Sequence, residues 1–257
     1  MKLKSKLLLA ALATSSAAFA QTAPAAAESA IAYNVGVVSE YRYRGLGQTT
    51  GDPALQGGVD YTNPNGFYLG IWGSTIKWIK DAAPATGGTD AKGGLEIDLY
   101  GGYKFEAAGI AYDVGLLRYE YSGNTYKNLG GTVNANTNEA YASATFGPAT
   151  LKYSQSLSDI FGYANSKGST YWDLSATFDL GNGYSLVPHA GRQFFKNNTT
   201  YSYTDVALTL NKDLGNGLSA SLSAISTSGN DTAYKALSKT GYNGAKSATV
   251  VGLKYSF

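Results

Sequence analysis

The chain contains no cysteine, so neither a disulfide framework nor a thiolate metal or redox site can hold it together. Charge is scarce too. Asp, Glu, Lys and Arg supply 15% of the residues, against about 25% in ordinary soluble domains, which leaves little polar surface to turn to water. No apolar run reaches the ~20 residues that a membrane-spanning helix requires. There is one histidine, His189, and no Asp-x-Asp ligand ladder accompanies Asp81, Asp90 or Asp231, so no calcium or other metal and no cofactor is expected. Helical periodicity is missing as well.

What is present begins with an address. Lys2, Lys4 and Lys6 precede an apolar run from Leu7 to Ala13 and the small-residue site Ala18-Phe19-Ala20, the layout of a secretory signal peptide, so residues 1–20 are set apart from the fold. Taking those three lysines from twenty basic residues leaves 17 against 18 acids, a formal charge of −1. No single-sign field remains, and nucleic-acid binding has no support. Residues 21–30, rich in Ala and Pro, read as a flexible lead-in. Residues 31–257 read as one domain.

Along that domain apolar and polar residues alternate in runs of about ten, the length of a tilted transmembrane strand. In the first run Tyr33, Val35, Val37, Tyr41 and Tyr43 fall on one face, and Asn34, Gly36, Glu40, Arg42 and Arg44 on the other. Leu55, Val59 and Tyr61 oppose Gln56 and Asp60, and Leu95, Ile97, Leu99, Tyr103 and Phe105 oppose Glu96, Asp98 and Lys104. Trp172, Leu174 and Phe178 oppose Asp173, and Val206, Leu208 and Leu210 oppose Asp205. One face suits lipid and the other suits water. A soluble sandwich would alternate too, so the connections carry more weight.

Short turns are expected at 63–66, 107–109, 147–148, 179–183 and 213–217, the last two both reading Asp-Leu-Gly-Asn-Gly. They alternate with longer polar loops near 44–53, 80–93, 122–138, 158–169, 196–200 and 228–246. The loops at 122–138 and 228–246 read as mobile solvated surface. Five turns and six loops require twelve strands. The expected fold is therefore all-β, a single antiparallel transmembrane β-barrel of about twelve strands in a bacterial outer membrane, with both termini periplasmic.

Aromatic residues are expected to form two interfacial girdles. Tyr41, Tyr43, Trp78, Tyr119, Tyr121, Tyr171, Trp172, Phe194 and Tyr203 lie toward the loops, and Tyr61, Phe67, Tyr103, Phe105, Phe146 and Phe178 toward the turns. The phase changes between Ala111 and Tyr121, which implies a bulge near Leu117; residues 139–146 are ambiguous. The last strand places Val251, Leu253, Tyr255 and Phe257 on one face and ends on an aromatic residue. That ending is similar to the signal by which the outer-membrane assembly machinery, served by periplasmic chaperones, recognises its clients.

The segment Ser39-Glu40-Tyr41-Arg42-Tyr43-Arg44-Gly45-Leu46, continued by Gln48-Thr49, Pro53-Ala54-Leu55-Gln56-Gly57-Gly58, Gly66-Phe67-Tyr68 and Trp72-Gly73-Ser74, resembles the TorF family of porins. The resemblance implies a barrel in outer-membrane lipid and a porin. It implies no defined solute.

A twelve-stranded barrel lies between filled eight-stranded and open sixteen-stranded ones, wide enough for a narrow pore. Pore-lining positions are expected at Glu40, Arg42, Arg44, Asp60, Glu96, Asp98 and Lys104, and at Arg118, Glu120, Asp173, His189 and Asp205, with Gln56 and Lys152 beside them. Glu40, Arg42 and Arg44 should stand near the outward end of the first strand, either biasing which ions enter or pairing with acids such as Asp60 and Glu96. Passive diffusion of small hydrophilic solutes or ions is the expected activity, with no catalytic residue. The alternatives are an outer-membrane hydrolase that uses His189 as general base and a closed structural or adhesive barrel.

Overall fold

Strict alternation of apolar and polar side chains lets each run bury its backbone in ladders while presenting two unlike faces. The computed structural model, which describes residues 30–257, closes these runs into an antiparallel barrel of twelve strands. In chain order they are β1 (Ile31–Val38), β2 (Ala54–Thr62), β3 (Phe67–Thr75), β4 (Leu95–Ala107), β5 (Ile110–Tyr121) and β6 (Thr137–Phe146). They continue as β7 (Ala149–Ser156), β8 (Thr170–Ala176 and Phe178–Gly181), β9 (Tyr184–Phe194), β10 (Tyr203–Gly215), β11 (Leu218–Thr227) and β12 (Ala248–Ser256). The break in β8, at Thr177, falls opposite Val187 of β9, next to Pro188, which has no N–H to donate. The expected signal peptide at 1–20 and all but the last residue of the 21–30 lead-in lie outside the described residues.

Each strand pairs with the next, and β12 returns to β1 from Asn34↔Ser256 to Val38↔Gly252. The ring has no open edge, the condition for a sheet surrounded by lipid. The start of β1 and the end of β12 lie together beside the short turns, where Tyr33 and Phe257 exchange backbone hydrogen bonds of 2.9 and 3.0 Å. The turns fall where the sequence places them. At the two Asp-Leu-Gly-Asn-Gly sites Asn182-Gly183 and Asn216-Gly217 all have positive φ, as a tight two-residue hairpin turn requires, and the register shifts just before each.

The outer face carries Val35, Leu55, Leu69, Leu99, Leu116, Leu174, Leu208, Leu222 and Val251, all exposed; Leu69 is 65% so. A band of large aliphatic side chains running round the whole sheet has no place in water and suits hydrocarbon. Near the turns the band is edged by Tyr61, Phe67, Tyr103, Phe105, Phe146 and Phe178, again exposed. The loop-end girdle is different. Trp172 and Phe194 point outward, but Tyr41, Tyr43, Tyr119, Tyr121, Tyr171 and Tyr203 are buried in the interior. A tyrosine ring suits a headgroup layer and a half-polar interior equally well, so composition does not separate the two.

No bulge interrupts β5: its register runs unbroken from Glu96↔Tyr121 to Ala107↔Ile110 against β4, and from Ala111↔Thr145 to Tyr119↔Thr137 against β6. The uninterrupted phase turns Tyr119 and Tyr121 inward and puts Arg118 and Glu120 on the outer face, where their side chains are partly exposed and paired with each other. That corrects the inward face expected for these two. They lie in the last turnward-to-loopward steps of β5, where charge can reach headgroups and water.

The loops are packed rather than loose. Tyr126, Leu129 and Ala135 of the loop after β5 join Ile76 and Ile79 of the loop after β3 in one cluster. Tyr234, in the short helix α1 (Asp231–Ala236) of the last loop, joins Ile160, Phe195, Tyr203 and Ala245 in another.

Candidate functional site

β1 stops at Val38, earlier than its alternation suggests. The chain then turns into the barrel and forms a hairpin of its own, with Arg42 opposite Gly47 and Tyr43 opposite Leu46. Its tip is Arg44-Gly45, with φ of 46° and 77°. The left-handed region is unfavourable for arginine, and it is held here by what surrounds it. A Cβ on Gly45 would lie 2.5 Å from the Asp205 Cβ and 2.4 Å from the Thr227 Oγ1, so the tip is pressed against β10 and β11. Thr227 donates to the Gly45 carbonyl at 2.8 Å.

Glu40, Arg42 and Arg44 therefore do not stand on the first strand, and they pair with neither Asp60 nor Glu96. Arg44 crosses the lumen. Its guanidinium donates to both carboxylate oxygens of Glu139 on β6 at 3.0 and 2.8 Å and to Gln193 on β9 at 3.0 Å. It also sits 4.3 Å over the Tyr171 ring of β8. In a ring of twelve, β7 lies opposite β1, so these partners are on the far wall. Arg44 is 5% exposed and Glu139 2%; losing one partner of such a pair costs about 3–5 kcal/mol.

The rest of the hairpin is held as firmly. The Tyr41 hydroxyl donates to Glu96 on β4 at 2.8 Å, and its ring meets Trp72 of β3 edge-on. Tyr43 touches Tyr119 of β5 hydroxyl to hydroxyl, and Tyr119 donates to Glu139 at 2.9 Å. Arg42 pairs with Glu40 at 2.9 Å and donates to the Gly45, Gly244 and Lys246 carbonyls, tying the last loop to the hairpin. Tyr242 of that loop donates to Glu40. Burial, then that hydrogen bond, raises the Tyr242 hydroxyl above its ordinary pKa, so it remains a donor.

Apart from Arg118 and Glu120, the other expected lining residues face inward from the wall. Glu96, Asp98 and Asp205 surround the hairpin, each no more than 1% exposed. Neither oxygen of Asp98 has a hydrogen-bond partner among the described residues. Asp60 accepts from Tyr100 at 2.5 Å nearer the turns. Lys104 lies 4.8 Å over the Tyr68 ring, and Lys152 lies 4.2 Å over Tyr141. His189 Nε2 is 2.8 Å from Asp173, and its Nδ1 is 3.5 Å from Asp205. Both ring nitrogens thus face carboxylates, and the Tyr171 hydroxyl lies 3.3 Å from Nε2.

Three interior features escape a reading by alternation alone. Glu139 lies in the stretch of uncertain phase, and Asp113, which accepts from Tyr68 at 2.7 Å, lies in the stretch assigned a bulge. The third is a set of tyrosines lying flat over glycines directly across the ladder: Tyr68 over Gly102, Tyr100 over Gly70 and Tyr141 over Gly115. The glycines lack the side chain that would otherwise hold the rings off the wall. Their spacing shows the pairing only once register is known.

A closed twelve-strand ring with an apolar exterior and a charged, tyrosine-rich interior is the porin fold. The chain is similar to the KdgM porin, with a TM-score of 0.52 at 8% identity over 88% of this chain and 98% of that one. It is similar to the NanC porin, with 0.52 at 10% identity over 89% and 99%. It is similar also to the KdgM porin in complex with disordered oligogalacturonate, with 0.51 at 9% identity over 88% and 98%. At such identities the likeness is one of fold. Residues 22–257 match the family described as "Bacterial protein of unknown function (Gcw_chp)", and the chain belongs to that family. No curated protein matches the sequence.

Proposed function

We propose that this protein is an outer-membrane channel of the TorF type that admits small hydrophilic solutes or ions by passive diffusion. The observation that carries this reading is the contrast between the faces: aliphatic side chains all round the exterior, and Asp60, Lys104, Asp113 and Asp173, each partly exposed, within. A structural barrel needs no charged interior, and burying such charges away from water is costly. Residues 1–20 serve export, and the termini and short turns face the periplasm.

In the loop half of the interior Glu40, Glu96, Asp98, Glu139, Asp173 and Asp205 outnumber Arg42, Arg44 and Lys152. Cations are therefore the favoured ions. Refolded mature protein in a planar bilayer under a salt gradient should give discrete openings with a cation-selective reversal potential, and Asp173→Asn, at a partly exposed inward carboxylate, should move that potential toward zero. A correctly folded barrel that stays silent with or without its inward hairpin would overturn the channel. A hydrolase built on His189 is the weaker reading, because the groups beside its ring are Asp173, Asp205 and the Tyr171 hydroxyl, with no serine or threonine nucleophile among them.

The assembly signal is assigned to Val251, Leu253, Tyr255 and Phe257. Phe257 stacks on Tyr33 at 5.6 Å between ring centroids and on Tyr255 at 5.4 Å, so its side chain also covers the seam. Deleting Phe257 should lower the amount of folded barrel recovered from outer membranes several-fold while refolding in detergent changes little. Equal recovery would remove it from the signal.

A further inference from the structure

The inward hairpin touches eight of the twelve strands of the interior wall. Tyr41 touches β3 and β4, Tyr43 touches β5, Arg44 reaches β6, β8 and β9, and Gly45 lies against β10 and β11. At this level Glu96, Asp98, Glu139, Gln193 and Asp205 are all 2% exposed or less. Water reaches almost none of their surface, so the hairpin packs against this part of the wall with no water layer between.

The hairpin is nevertheless no part of the barrel's ladders. β1 and β2 already pair up to Val38↔Ala54, and what joins 39–53 to the surrounding wall is chiefly side-chain contact. Its backbone bonds go to Val251 at the seam, to Gly244, and to Lys77 and Trp78 in the loop after β3. Withdrawing the tip would break none of the twelve strand pairings. The contact that spans the lumen is the fork of Arg44 on Glu139, which combines charge with two parallel hydrogen bonds.

We propose that the hairpin at Tyr41–Gln48 is an internal closure of the channel and that Arg44, clamped by Glu139, Gln193 and Tyr171, is its latch. This rests on the channel reading above. Opening consists of releasing Arg44 from Glu139 and displacing the tip from β10 and β11. The strained backbone at Arg44 favours release once the partners are lost.

Three variants test this in planar bilayers, each first checked for folding by heat-modifiable migration and circular dichroism. In one, residues 39–53 are replaced by Asn-Gly, a turn suited to the paired ends Val38 and Ala54. The others are Arg44→Ala and Glu139→Gln, the second keeping shape while removing charge. The expected result is a wild type that opens only briefly, a hairpin-less barrel that conducts steadily and several-fold more, and point variants with open times in between. If the wild type conducts as well as the hairpin-less barrel, the closure is overturned and the channel stands. If only the hairpin-less barrel gains conductance, Arg44 is not the latch. A folded hairpin-less barrel that remains silent overturns both the closure and the channel.

Discussion

Leu208→Arg is expected to cost the folded barrel about 2–4 kcal/mol, read by urea titration of protein refolded into lipid vesicles, because a cation at the bilayer midplane loses its hydration. Leu208 lies midway along β10, 49% exposed, between the outward-facing Val206 and Leu210. Its ladder partners Pro188 and Ala224 are uncharged, so the new charge would have no counter-ion beside it. Ser226→Arg, on the same outer face but at the loop end of β11, should cost only about 0–1 kcal/mol, since the penalty falls away toward the interface. Equal costs at the two positions would mean that the outer band does not sit in hydrocarbon.

The second large effect concerns the flat tyrosines. A Cβ on Gly102 would lie 2.4 Å from the Val114 carbonyl oxygen and 2.5 Å from the Tyr68 hydroxyl. The first is backbone fixed in the β4–β5 ladder, and the second is held by Asp113 and Tyr141. Gly102→Val should destabilise the barrel by about 1–3 kcal/mol, toward the upper end because a carbonyl in a ladder has little room to yield. The neighbouring Gly101 faces outward, and its nearest obstacle is the flexible Leu69 side chain at 2.6 Å. Gly101→Ala should therefore be nearly neutral in the same titration. If both glycines tolerate a larger residue, the rings do not lie against the wall as described.

Strand number, turns, loops and the inward face of most strands were legible in the sequence because each is a local property. Period-two alternation sets the face, and Asn-Gly after Asp-Leu-Gly sets the turn. The hairpin was hidden for the same reason. Tyr41, Arg42, Tyr43 and Arg44 alternate as a strand does, and nothing in that alternation tells lipid on one side from packed interior on both. The available signal was the glycine spacing at Gly45, Gly47 and Gly51, which breaks a strand too often for one that continues to a simple loop. Tyr119 and Tyr121 misled in a related way: assigning them to a girdle forced a bulge into β5 and turned Arg118 and Glu120 inward. Long-range partners such as Glu139 and Gln193 carry no local mark. The resemblance drawn from Ser39 to Leu46 falls on the inward hairpin itself.

The seam between β1 and β12 orders events in time. Every other strand pairing joins sequence neighbours through a turn or a loop, and such local contacts form quickly. Tyr33 with Phe257 spans almost the whole domain, so loop-closure entropy is greatest for the step that shuts the ring. The hairpin is held by β3 to β6, by β8 to β11 and by Gly244 and Lys246 of the last loop, so its full set of contacts exists only once the ring has closed. An assembling ring would therefore pass through a less obstructed stage before it acquires its full obstruction.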